Sequence, residues 1–283
     1  MRRTVSMTFA MALFALVAAT AARADQWSKT FSVSAKPHLA LSADNARLTV
    51  TPGTASQVSV RVTTTNRRIP DDVRIVESQS GNEIKVEVKQ AHRLFDLGRG
   101  SVIVDVTVPS EADLDLNTGN GRISLGAITG NLRVGTGNGR VEASGPHGTL
   151  YVRTGNGQIT ATGLDGSLDA HTGNGSVHVS GRFDALRAES GHGQVEATVL
   201  AGSKMTSAWE VHSGVGSVTV RLPANFSAEL DSSTGVGHIS VDFPVTVSGS
   251  VTGSSVHGRL GNGGQTLRVH TGVGSVHIER SSD

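Results

Sequence analysis

The 283-residue chain contains no cysteine. Disulfide bracing, thiolate metal sites and a lipid-bearing cysteine behind a leader are therefore excluded. Aromatic side chains are scarce, at 2 Trp, 1 Tyr and 7 Phe, so few rings exist to stack on sugars or bases. Neither sign of charge dominates: 25 Lys and Arg stand against 24 Asp and Glu, without an extended basic run. A nucleic-acid footprint needs Lys and Arg gathered on one face, so no nucleic-acid partner is expected. Beyond Ala22 no apolar stretch approaches the roughly 20 residues of a spanning helix. No membrane span is expected after the leader.

The leader itself is legible. Arg2 and Arg3 form a basic start, Phe9 to Ala22 is apolar apart from Thr20, and Ala22-Arg23-Ala24 offers a small-x-small site. This is the pattern of a secretory signal peptide over residues 1–24, cleaved after Ala24. An anchor is the alternative, but the apolar run falls short of roughly 20 residues. The residues after the Arg pair, Thr4-Val5-Ser6, add little to a twin-arginine reading. Cleavage would leave 259 residues with 22 basic and 24 acidic side chains. An extracytoplasmic location follows, either periplasmic or secreted to the cell surface. A chain of this length can bury a core without covalent staples.

What the sequence has in quantity is glycine, 35 residues, and much of it recurs in one motif. Thr-Gly-Asn-Gly stands at 118–121, 136–139, 154–157 and 172–175, and Ser190-Gly-His-Gly193 follows at the same 18-residue spacing. At longer intervals come Ser213-Gly-Val-Gly216, Thr234-Gly-Val-Gly237 and Thr271-Gly-Val-Gly274. Two positions after each turn sits a β-branched residue (Ile123, Val141, Ile159, Val177, Val195) and two further on another apolar one. Leu132, Leu150, Leu168 and Leu186 begin a second alternating segment before the next turn. Alternation with period two marks strands with one buried face. Gly145, Gly163 and Gly181, with Gly130, Gly148 and Gly166, suggest a second turn in each unit.

Each unit then reads as strand, turn, strand, turn. Asn-Gly favours positive φ at both residues, which allows a tight reversal. Stacked about 4.8 Å apart, the units would align Asn120, Asn138, Asn156 and Asn174 as an amide ladder, with Gly121, Gly139, Gly157 and Gly175 beside it. Asn-Gly is also a hairpin signal, but an antiparallel meander gives no reason to repeat one Asn at one place. A membrane barrel needs strands of about 9–11 residues, and these run about five. The expected fold class is all-β: a parallel β-solenoid (β-helix-like) with 18-residue coils and an N-terminal β capping region. Residues 25–108 form that cap and 109–283 the repeat domain. Strands are expected in the cap at Thr30–Val33, Arg47–Val50, Val58–Thr63, Val73–Glu77, Ile84–Lys89 and Ser101–Val108, with polar loops at 64–72 and 90–100. Val in place of Asn in the later turns suggests apolar neighbours there. Handedness stays open, with right-handed crossovers the default.

The run Val102–Pro109, then Leu114-Asp115-Leu116, then the Thr-Gly-Asn-Gly-x-(Ile/Val) units, resembles the bacterial putative-adhesin family of extracytoplasmic β-strand-repeat proteins. The ending from Gly258 through Gly264 to Thr271-Gly-Val-Gly274 is similar to that family's C-terminus. The resemblance covers roughly residues 100–283. It implies a β-solenoid and an envelope location, and it brings no catalytic residues. Where such repeats carry Asp or Glu after the turn, this chain has Arg122, Arg140, Gln158 and Ser176.

Other chemistry finds little support. A phosphate-binding Gly-rich loop needs a strand on one side and a helix on the other. Calcium-binding repeats need carboxylates in the turn, and none is present. Of 11 histidines, His171, His212 and His270 share the position before the turn, and His178 and His277 lie outward on strands; none is spaced as a metal ligand set. Thr118, Thr136, Thr154 and Thr172 read as backbone-bonded turn residues. A glycan-acting β-helix enzyme would draw its two carboxylates from Asp165, Asp169, Asp184 and Glu189, with Asp165 and Asp184 in loops. The expectation is no cofactor, no metal and no catalytic set. A non-enzymatic envelope scaffold or adhesin-like binding module, contacting an envelope protein or glycan surface, is the leading reading. A polysaccharide-acting enzyme and an envelope-stress or signalling accessory are the alternatives.

Overall fold

In the computed structural model, residues 24–54, 56–91, 100–247 and 253–281 are described. The leader through Arg23 and most of the 90–100 loop lie outside the described residues. Among those described, 23 strands join into a single sheet and no helix occurs. The sheet winds on itself into two facing walls, in a solenoid-like arrangement.

The first wall holds the strands that lead into the Gly-rich turn. Asp113–Asn120, Thr129–Asn138 and His147–Asn156 lie side by side and parallel. The later halves of Ile159–Asn174 and Val177–His192 continue the row. Register partners are 18 residues apart: Leu132 lies between Leu114 and Leu150, and Asn138 between Asn120 and Asn156. The second wall repeats this after the turn, with Ile123, Val141, Ile159 and Val177 in one parallel row. The expected second break is a bend rather than a gap, since Ile159–Asn174 runs unbroken through Gly163 and Gly166.

Inward side chains from the two walls meet in one core. Leu132, Val134, Val141 and Ala143 from one turn of the chain are all buried. Each fully buried Val or Leu contributes about 1.5–3 kcal/mol, and ordering the backbone takes back a comparable amount. Stability therefore accumulates by stacking. Larger side chains gather toward the ends. Trp209 is buried between Phe183 and Phe226, with ring centroids at 6.1 and 5.6 Å, and its Nε1 donates to the Asp184 carbonyl at 3.3 Å.

The two ends are not built in chain order. Thr266–Val273 lies between Trp209–Val215 and Ala228–Val236, parallel to both. Val276–Arg280 lies likewise between Val218–Leu222 and Ile239–Val241. The last turn of chain is thus inserted one place inside the end. The N-terminal end does the same. His38–Asn45, a strand missed in the sequence, sits between Glu83–Gln90 and Asp113–Asn120. Arg47–Gly53 sits between Ser101–Pro109 and Ile123–Leu125. Antiparallel strands close both ends: Val73–Ser80, Gln57–Thr65 and Ala24–Ser32 at one, Ser255–Leu260 and Val245–Val247 at the other.

Candidate functional site

The turn edge is a layered hydrogen-bond column. Asn138 Nδ2 donates to Asn120 Oδ1, Asn156 to Asn138 and Asn174 to Asn156, each at 2.8 Å. Asn120 in turn donates to Asn45, which precedes it by 75 residues and has no Gly-rich turn around it. His192 takes the next place beyond Asn174. Behind the amides runs a second column of buried hydroxyls. Thr172 Oγ1 donates to the Gly157 carbonyl at 2.9 Å, Ser190 to Gly175 at 2.8 Å and Ser213 to Gly193 at 2.8 Å. Each hydroxyl thus ties its own turn to the one stacked against it.

The turn glycines meet two constraints, of which the sequence suggests one: positive φ holds at the second glycine of most of these turns but not at the residue before it. Asn-Gly implied positive φ at both residues, yet among the described residues only Asn66 among non-glycines has positive φ. The other constraint is stacking distance. A Cβ on Gly139 would lie 1.9 Å from the Gly121 carbonyl oxygen, and one on Gly157 1.8 Å from that of Gly139. Gly121 and Gly175 add φ of 146° each.

The Val turns also differ from expectation. The sequence suggests apolar neighbours for them, but Val215, Val273 and Val236 are 47%, 49% and 68% exposed. They continue the ladder line outward at the C-terminal end, where a β-branched side chain stacks without needing a polar partner.

The histidines are drawn into local pairs. His38 meets Glu83 at 2.6 Å, His171 meets Glu189 and His178 meets Glu196 at 3.2 Å each, and His257 meets Asp231 at 3.0 Å. His212 and His270, separated in sequence by another turn motif, lie in adjacent strands with stacked rings. Among the described residues no group of three or more His, Asp or Glu is placed to hold a metal ion.

Asp165 lies in a strand, not a loop, and pairs with Arg182 at 2.5 Å. Asp169 has a loose contact with Arg153 at 3.9 Å. Asp184 also lies in a strand rather than a loop, within Val177–His192, and is exposed beside the point where the strand register shifts. Glu189 accepts from Arg187 Nε at 2.8 Å. Partial burial pushes the Glu189 carboxyl upward, but hydrogen bonds from Arg187 and His171 outweigh it and hold it below the usual range. Hydrogen bonding from Arg221 lowers Glu196 against its own partial burial, with His178 adding to the effect. A general acid needs the opposite shift.

On the outer face of the first wall, one column runs Asp115, Arg133, Tyr151, Asp169, Arg187, Glu210, Arg268 and Asp231 across adjacent strands. Near its Asp115 end, where Gly135 lets the Asn117 amide lie across the strand, a shallow groove of about 250 Å³ opens. Asp115, Asn117, Arg133, Tyr151 and Arg153 surround it. A larger cleft of about 710 Å³ lies at the loops carrying Lys204, Met205, Phe226 and Gln265.

Fold and face together define an all-β repeat protein with an outward polar surface. The chain belongs to the Toastrack DUF4097 family, whose profile matches residues 37–279. This is the family of the adhesin-type repeat proteins that the motifs resemble. No curated protein matches the sequence. Among solved structures, the chain is similar to a putative adhesin from Bacteroides fragilis NCTC 9343, at 12% identity and a TM-score of 0.51, over 90% of this chain and 97% of that one. It also matches a putative cell adhesion protein from Clostridium sporogenes ATCC 15579, at 13% identity and a TM-score of 0.32, over 92% of this chain and 100% of that one. Among the described residues no helix is long and apolar enough to cross a membrane.

Proposed function

We propose that the protein is an exported, non-enzymatic adhesin-like binding module of the cell envelope, built on a parallel β-solenoid with 18-residue coils at its centre. In this reading residues 1–24 are a signal peptide, 25–108 cap the stack and 109–283 carry the repeats. The Asn and Gly residues of the turns are structural. The outer face of the first wall is the binding surface, and its partner is an envelope protein or glycan.

The registered outer column from Asp115 to Asp231 carries this reading. Charged and aromatic side chains stand there at fixed strand spacing on a backbone held by the turn ladder. A rigid scaffold of this kind loses little conformational entropy on binding. The candidate catalytic acids support the non-enzymatic side, since Asp165 and Glu189 are engaged by Arg182 and Arg187.

Crosslinking in cells followed by mass spectrometry tests the proposal. Crosslinks from first-wall residues to a defined envelope partner are expected. Crosslinks confined to other surfaces, or to components of a signalling complex, would favour the accessory reading. New reducing or unsaturated ends from a panel of glycans, abolished by Asp165→Ala and Asp184→Ala, would establish an enzyme instead.

A further inference from the structure

We infer that the groove over Gly135 is a subsite for an acidic sugar, a uronic acid whose carboxylate is held by Arg133 and Arg153. The inference rests on the binding-module reading and adds its ligand class.

Four features converge within the groove. Tyr151 is the only tyrosine in the chain, and it stands 38% exposed on an outward strand position. An exposed ring with a hydroxyl tip suits the apolar face and polar rim of a pyranose. The Arg133 guanidinium lies 5.5 Å from that ring's centroid. Among the described residues Arg133 forms no ion pair, so its donors remain available. Among the described residues Arg153 has one ion pair, its 3.9 Å contact with Asp169. Two such guanidinium groups flanking one groove match a carboxylate by paired N–H donors. Asn117 Nδ2 donates to Asp115 Oδ1 at 2.6 Å, which leaves the other Asp115 oxygen as an acceptor for a sugar hydroxyl.

Gly135 sets the floor of the groove. A Cβ there would fall 2.4 Å from Asn117 Oδ1 and 3.5 Å from its Cγ, so the Asn117 amide lies across the glycine. An open groove of about 250 Å³ is the size for one sugar unit, below the 300–1,000 Å³ of drug-sized pockets. The Arg187 position of the column is built differently. Arg187 is tied to Glu189 at 2.6 Å, and no glycine stands beside it on the outer face.

Binding of the purified full chain to oligogalacturonate and oligomannuronate, measured by calorimetry, tests this. The methyl-esterified oligomers, with the same sugar rings and no charge, and polyglutamate, charged and without sugar, are the comparison arms. The expected result is binding of at least one acid oligomer, weakened tenfold or more by esterification. Tyr151→Ala and the pair Arg133→Gln with Arg153→Gln should each cause a similar loss. Gly135→Ala should weaken binding by displacing Asn117, and Arg187→Gln should leave it unchanged. Circular dichroism of each variant separates loss of the site from loss of fold. No binding by either acid oligomer, equal binding of acid and ester, equal binding of polyglutamate, or full binding by a folded Tyr151→Ala variant would overturn the inference. A crosslinked partner on the first wall would still support the binding-module reading in that case.

Discussion

His270 stacks on His212 with ring planes 3° apart and centroids at 5.2 Å, although 58 residues separate them. The contact exists because the last turn of chain enters the stack between the two turns that precede it in sequence. It reports how the C-terminal end is closed.

That closure makes the C-terminus an interior element. Leu267, Val269, Val276 and Ile278 are fully buried, with strands on both sides. Leu267→Ala is expected to cost about 2–5 kcal/mol, the range for a buried leucine, measured by urea unfolding. Truncation after Gln265 should abolish cooperative unfolding of the C-terminal third rather than trim one terminal layer.

Gly157→Ala tests the stacking constraint. A methyl group 1.8 Å from the Gly139 carbonyl oxygen forces the two turns apart. A loss of about 1–3 kcal/mol or more is expected from overpacking. Gly253→Ala is the control, since a Cβ there meets nothing within 4 Å. Paired melting curves give the comparison, with about 2–4 °C for each kcal/mol in a chain of this size.

Asn156→Ala removes two ladder bonds at once, one donated to Asn138 and one accepted from Asn174. The amides are exposed, so water takes over part of each bond, and about 0.5–1.5 kcal/mol per bond is the upper bound. Thr172→Val should cost at least as much, because Thr172 is fully buried and the Gly157 carbonyl loses its donor.

Glu196 gives the pH dependence. Its folded carboxyl titrates below the ordinary value near 4.5, held there chiefly by Arg221 and also by His178. A depressed folded pKa means the stabilisation is present above the unfolded value and is lost as pH falls through the folded one. Arg221→Gln should therefore lower stability at pH 7 and flatten the loss between pH 5 and 3. Urea midpoints across that range, for both proteins, read this directly.

The middle of the molecule was legible from the sequence because every 18-residue unit repeats the same buried residues and the same glycines. Leu132, Leu150 and Leu168 fall in one row for that reason. The ends were not legible in the same way. Asn45 completes the ladder without a motif, since a neighbouring turn at Asn120 supplies the glycine, and His38–Asn45 has only its alternation to mark it. The position of Thr271 between Ser213 and Thr234 depends on a long-range return of the chain, which local pattern does not encode. The groove at Gly135 was hidden for a similar reason. Gly135 breaks no strand and stands beside Tyr151 and Arg153 only once the rows are stacked.

The absence of native cysteine allows a clean measurement of the stacking order. Val215 and Val273 are register partners, as are Val273 and Val236, while Val215 and Val236 are two strands apart. A disulfide needs Cα atoms within about 7 Å, and neighbouring strands lie about 4.8 Å apart. Under mild oxidation, the Val215→Cys, Val273→Cys pair and the Val273→Cys, Val236→Cys pair should each close, and the Val215→Cys, Val236→Cys pair should stay reduced within one molecule. Closure of the third pair in place of the other two would contradict the inserted C-terminal turn and the registered stack that carries the outer face.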